Sequence, residues 1–251
     1  MRVDDKLRVV DAGDVRGLVR KYLREYADCS GSVLYSGLDT LTAADFYFIG
    51  LNPGDSSGED RLIDHTIHPA NWSAYTCQCW QRGCNEDDCA HKSGGKVLER
   101  YATRHQRRVQ QLARSLGQSP EQIFATNCIF VRSPSTRELM KDAESRKKAY
   151  ELWNCCWPVH AKFLSEVKPK LVVCLGNGTE FTSFGLLHRK SNTPEILESG
   201  STFRDGRYFK AQFNLGFDEP WIYGVPHPSW HQPPANFGDR SSPPFSSCQR
   251  S

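Results

Sequence analysis

Residues 46–54 read FYFIGLNPG, and the first half of this stretch decides the fold. Phe46 to Leu51 is rich in aromatic and aliphatic residues and shows no polar alternation, the pattern of a strand covered on both faces. Loop chemistry begins at Pro53, so the strand ends by presenting one amide side chain, Asn52, between a buried run and a turn. Two other runs share this character, IFATNCIFV at 123–131 and LVVCL at 171–175. Helical patterns lie around them. Val15, Leu18, Val19, Tyr22, Leu23 and Tyr26 recur at helical spacing after Asp14, which is available as N-cap. Val97, Leu98, Tyr101, Ala102, Val109, Leu112, Ala113 and Leu116 predict a helix that ends at Gly117, with Arg100, Arg104, Arg107, Arg108 and Arg114 on its polar side. A further helical stretch around Ala149 to Trp153 continues to Val167, with Pro158 starting a new turn or kinking the old one. Gly176 and Gly178 then bridge to a helix near Thr179 to Leu187. Buried strands that alternate with helices predict an α/β fold with a parallel sheet covered on both faces. Tyr208 to Leu215 alternates as an exposed strand would, and Trp221 to Val225 leads into PHPSWHQPP.

The 251 residues, 38% of them hydrophobic, suffice for one sizeable core. A single domain over 1–240 is expected, carrying a Cys-rich insertion at about 70–95, with 241–251 as a disordered low-complexity tail. Charges occupy the N-terminus where a secretory signal would be apolar, and no run approaches the ~20 residues of a membrane span. The expectation is a cytoplasmic protein without membrane contact, its ten cysteines reduced or in part metal-bound. A net charge of +3 permits an anionic partner without demanding one, and the arginines between 100 and 114 are either a solvated helix face or a local attraction for phosphate.

Within CQCWQRGCNEDDCAH stand Cys77, Cys79, Cys84, Cys89 and His91. Thiolates and imidazole suit tetrahedral zinc, which would brace the loop and take no part in chemistry. The spacing is not that of a standard finger, and iron–sulfur ligation or free thiols are the alternatives.

Ligands of such sheets bind beyond the carboxyl ends of the strands, and three strands here end in polar, turn-forming groups. GLNPG (50–54) resembles the first motif of the uracil-DNA glycosylase superfamily, in the form of its single-strand-selective monofunctional and mismatch-specific branches, which carry Asn where the best-known branch carries Asp. HPS (227–229) resembles the second motif. ATNCIFV is similar to the central strand whose asparagine reads the base, and KPKLVVCLG (168–176) to the strand before a glycine turn. The four stand in the family's order and span roughly residues 44–232.

This resemblance implies a three-layer α/β/α fold around a central, mostly parallel four-stranded sheet. It implies a monofunctional glycosylase of base excision repair that flips uracil, or another deaminated base, out of DNA and hydrolyses its N-glycosidic bond to leave an abasic site. Asn52 and His227 become the catalytic pair: the Asn52 carbonyl orients water, and His227 donates a hydrogen bond to the departing O2. Asn127, with Gly50 and Leu51, would hold the base, and Pro53, Gly54 and Ser229 would meet phosphate, with Trp230 or Phe237 as wedge. The family's aromatic platform is absent from 55–67, which leaves His65, Trp72 or Tyr75. No cofactor is implied for catalysis. The implied partner is uracil-containing DNA met by a monomer, nucleoid-associated in a bacterium or nuclear in a eukaryote. The competing expectations are a damage-binding protein without turnover on the same fold, and a glycosylase for hypoxanthine or xanthine.

Overall fold

The structure is a computed structural model that describes residues 12–42, 44–54, 61–62, 67–81, 84, 89–133, 135–178, 180–191, 198–203, 206–212 and 220–229. In chain order the elements are α1 (Ala12–Tyr22), β1 (Phe46–Gly50), β2 (Lys92–Ser93), β3 (Lys96–Val97), α2 (Arg104–Ser115), β4 (Phe124–Asn127), α3 (Thr136–Leu139), α4 (Ala143–Val167), β5 (Leu171–Leu175), α5 (Ser183–His188), β6 (Glu198–Phe203), β7 (Gly206–Gln212) and β8 (Trp221–Val225). The main sheet has the order β4-β1-β5-β8-β7-β6. Its first four strands are parallel, while β7 joins β8 antiparallel and β6 joins β7 antiparallel. The expected four-stranded parallel core is present, extended by a hairpin to six strands.

Alternating residues of each parallel strand feed two separate cores, which is what makes three layers. Tyr47 and Ile49 of β1, Val172 and Cys174 of β5 and Ile222 of β8 point to one face, where α1, α4 and α5 pack through Val15, Val19, Trp153, Phe163 and Phe184. Phe48, Leu171, Val173, Leu175, Tyr223 and Val225 point to the other, under Val109, Leu112 and Ala113 of α2. Burial on both sides explains the uninterrupted apolar runs. Gly224 lets α5 come close, because a Cβ there would lie 2.9 Å from the Phe184 ring.

Several element boundaries differ from the sequence-based expectation. Asp14 lies inside the first turn of α1 and is not its N-cap, where its carboxylate still suits the positive end of the helix dipole. The second helix begins at Arg104, seven residues later than Val97, because Thr103 and Gln106 form a reciprocal capping box. Val97 instead belongs to β3, and Glu99–Tyr101 is a 3-10 turn. Its far end is as expected, with Gly117 at φ +72. The helix around Pro158 is one continuous element of 25 residues that contains the proline. The helix after β5 starts at Ser183, capped by Thr182. The tail at 241–251 lies outside the described residues. No helix among the described residues is long and apolar enough to cross a membrane.

From β1 the chain moves to β4 on one side, and from β5 to β8 on the other. The connections change side between β1 and β5, and ligands of such sheets bind beyond the carboxyl ends of the strands at that switch point.

Candidate active site at the carboxyl edge of the sheet

The GLNPG segment leaves β1 at this edge and is held there by the chain after β4. The Cys128 and Ile129 amides donate to the Gly50 and Leu51 carbonyls at 2.9 and 2.8 Å, and the Ser133 amide donates to the Pro53 carbonyl at 3.2 Å. The Asn52 Nδ2 donates to the Pro53 carbonyl at 2.9 Å and to the Ser133 carbonyl at 3.2 Å. Both acceptors are carbonyls, so the nitrogen must face them, and its two protons are used. The side-chain oxygen, Oδ1, is therefore the end of Asn52 that remains to hold a water or a ligand.

Asn127 closes β4 directly beside Gly50, its register partner. Its Oδ1 lies 2.2 Å from where a Cβ on residue 50 would stand, so the glycine is the space the asparagine occupies. The Asn127 side chain is buried and acts electrostatically on the Tyr35 hydroxyl. Leu51 turns its side chain into the apolar core under α4, which leaves only its backbone at the edge.

His227 follows β8 by two residues and is exposed. The Ser229 amide donates to its Nδ1 at 3.2 Å, which puts the proton of a neutral ring on Nε2. His227 is thus a donor through Nε2. The loop it stands on is fixed by α2: Arg108 donates to the Pro228 carbonyl at 2.8 Å, and His105 Nδ1 meets the Ser229 Oγ at 3.3 Å. Burial, and next the charge of His227, push the His105 pKa down to about 3, so that ring is neutral beside its partner. The two rings lie 5.1 Å apart.

A chain of aromatic contacts joins the two ends of the site. Tyr35 lies 6.3 Å from both Tyr75 and Trp80, Trp80 lies 5.8 Å from Tyr75 and from His105, and Tyr75 lies 6.0 Å from His105. Asn127 touches this cluster through Tyr35, and His227 touches it through His105. Of the platform residues considered from the sequence, Tyr75 is in the cluster, whereas Trp72 stacks on His68 at 3.5 Å, and His65 lies outside the described residues. Tyr35, Trp80 and His105 were not singled out from the sequence. They come from three separated segments, and only a Tyr–Trp–His cluster seen in space could identify them.

Pro53 is buried and Gly54 exposed, and the Gly54 carbonyl accepts from Arg132 at 3.1 Å. Among the described residues nothing lies within 4 Å of a Cβ on Gly54, so none of them demands its smallness. Trp230 and Phe237 lie outside the described residues. Arg104 and Arg107 are exposed on the half of α2 that carries Arg108, so the basic helix face flanks the His227 loop. A recess of about 570 Å³ lined by Thr76, Lys96 and Glu121 lies instead at the far end of α2, where Lys96 and Glu121 pair at 2.7 Å. None of Asn52, Asn127 and His227 lines it.

In the Cys-rich insertion the ligand atoms of Cys79, Cys84, Cys89 and His91 all lie within 4.8 Å of one another. Cys77, counted with them from the sequence, is not in the group: its thiol turns toward the Thr76 hydroxyl at 3.5 Å. Cys77 closes a turn, its amide donating to the Ser73 carbonyl at 2.7 Å, so that turn and not the stretch carrying Cys79 sets where its thiol points. Cys84 and Cys89 approach to 2.7 Å; their mutual hydrogen bond is the main influence that raises the first thiol to about 12, and it helps to lower the second. Three sulfurs and one imidazole can hold a metal ion.

Compared with protein-family models and with curated proteins, the chain finds no match.

Proposed function

We propose that the protein is a monofunctional DNA glycosylase that excises uracil from DNA and leaves an abasic site. The observation that carries this reading is the pairing of an amide with a free carbonyl oxygen, Asn52, and an imidazole with its proton on Nε2, His227, along one carboxyl edge of the sheet. As the bond between C1′ of the sugar and N1 of uracil breaks, its electron pair moves into the base and charge gathers on O2. His227 Nε2 donates to that oxygen, as a preorganised donor does at developing charge. Asn52 Oδ1 holds the water that adds to the electron-poor C1′, and since an amide takes up no proton near neutral pH, the water's proton leaves to solvent after attack. Asn127 offers a donor and an acceptor to the O4 and N3–H edge of uracil and penalises cytosine, which presents an amino group there. No lysine stands in GLNPG, ATNCIFV or HPS, and Lys168 and Lys170 of the fourth segment precede β5, at the end of the strand opposite the carboxyl edge, so strand cleavage by the protein is not expected.

The partner is DNA carrying uracil, approached through the arginine-bearing half of α2, with the protein acting as a monomer. The same reading includes a structural zinc ion on Cys79, Cys84, Cys89 and His91, a Cys₃His donor set that closes the coordination sphere and leaves no position for chemistry. The test is incubation of the full chain with oligonucleotides carrying uracil, hypoxanthine or xanthine opposite each base and in single strands, followed by alkali. Breaks at uracil are expected. Breaks only at a purine would reassign the substrate, and tight binding of uracil-DNA without product in a single turnover would reduce the protein to a damage-binding one.

A further inference from the structure

Cys79 is followed directly by Trp80, so the residue that would anchor a metal ion sits beside the residue at the centre of the aromatic cluster. We propose that the metal at Cys79, Cys84, Cys89 and His91 builds one wall of the base pocket by fixing Trp80. This inference rests on the glycosylase reading for the identity of the substrate and on the metal reading for the ion.

The donor geometry fits a zinc-class ion. Around a tetrahedral centre with bonds of about 2.3 Å to sulfur, donors stand about 3.8 Å apart, within the observed spread of 4.8 Å. The Cys84 and Cys89 sulfurs stand 2.7 Å apart, closer than two non-bonded sulfurs pack, and a cation between them would draw them out to tetrahedral spacing as two of its ligands. His91 lies against Cys79 at 3.5 Å, and its ring packs on Tyr101 at 4.3 Å.

The backbone on each side of Cys79 is tied to α2 and its approach. Gln106 of α2, fully buried, donates to the Gln78 carbonyl at 2.7 Å and to the Ala74 carbonyl at 3.1 Å. Gln81 donates to the Tyr101 carbonyl, and Trp80 Nε1 donates to the Gln78 side chain at 2.9 Å. Cys79 is the remaining handle on this short stretch, and a bond from its sulfur to a metal sets the direction in which Trp80 leaves the chain. Trp80 then meets Tyr35, which lies within electrostatic reach of Asn127, and His105, which meets His227. The ion thereby acts on base binding through a positioning residue, without touching substrate.

The test uses the full chain purified under reducing conditions. Elemental analysis is expected to find one zinc per chain, lost in Cys84→Ser and Cys89→Ser and kept in Trp80→Phe and Trp80→Ala. The chain has six tryptophans, so the Trp80 emission is taken as the difference between wild type and Trp80→Phe. Chelation is expected to shift that difference to the red, and added zinc to reverse it. On uracil-DNA, chelated protein, Cys89→Ser and Trp80→Ala should each raise KM about tenfold, as loss of an aromatic contact does, with kcat nearly unchanged. Protein that holds no metal, or a Trp80 signal indifferent to chelation, overturns the proposal. So does chelation that lowers kcat and Tm together, which would mean plain structural support. Absence of any excision condemns the glycosylase reading instead, since metal content and Trp80 emission are read without turnover.

Discussion

The two faces of the sheet are built from the same strands but differ in what they bury. The face under α1, α4 and α5 is a large apolar core whose buried histidine, His160, is fully paired: its Nε2 donates to the Cys128 carbonyl at 3.0 Å and its Nδ1 accepts from the Tyr47 hydroxyl at 3.1 Å. The face under α2 is smaller, and toward the carboxyl edge its aliphatic packing gives way to Tyr35, Tyr75, Trp80, His105 and the buried amide of Gln106. One face stores stability. The other holds polar aromatic groups in fixed positions, which is what a site needs and an efficient core does not.

The largest effect that would break this comparison is a cavity in the first face. Phe163→Ala is expected to cost about 3–5 kcal/mol in urea unfolding while the surviving folded protein keeps its activity. Loss of excision without loss of stability would mean that the two faces are not separable in this way. Next in size is His227→Ala, expected to lower kcat about 10²–10³-fold, the usual cost of removing one such donor, with an unchanged melting temperature because the ring is exposed. An active His227→Ala protein would remove the residue from the mechanism.

A pH titration sharpens the contrast further. Burial pushes the His160 pKa down to about 4, against about 6.5 for a free histidine. As pH falls below about 6.5 the unfolded chain takes up a proton that the folded one refuses, so stability present at neutral pH is lost toward pH 4, at up to about 1.4 kcal/mol per pH unit for this group. Urea midpoints between pH 7.5 and 4.5 should fall accordingly, and a His160 resonance that titrates near 6.5 would contradict the buried, paired ring. A smaller effect on stability than those of the first face is expected of Gly50→Ala. The added methyl meets only the tip of the Asn127 side chain, so the fold should lose about 1 kcal/mol or less, while uracil excision falls and discrimination against cytosine weakens as Asn127 is displaced. Unchanged discrimination would separate Asn127 from base reading.

The strands were legible because a parallel strand buried on both faces must be apolar throughout, and β5 and β8 have the expected bounds. Boundaries set by single side chains were harder to read. The apolar residues from Val97 onward continue a helical period, yet Thr103 and Gln106 start α2 afresh, because two reciprocal cap bonds outweigh the pattern before them. Of the hairpin of β6 and β7 the sequence marks only the second strand, through Tyr208 to Leu215, since β6, ESGSTF, carries little of the apolar signal that marks a strand. In the Cys-rich insertion the ligand types were visible and the membership was not: sequence proximity admitted Cys77, and geometry leaves it out.

By itself the sequence determined which segments are buried strands, and that Asn52, Asn127 and His227 follow or end them, because burial and turn chemistry are written in residue type and order. Only the tertiary structure decided how each is held. Carbonyls from Pro53 and Ser133 take the Asn52 nitrogen, the Ser229 amide takes the His227 Nδ1, and Gly50 makes room for Asn127. Such assignments depend on partners brought together across the sheet, and no local pattern encodes them.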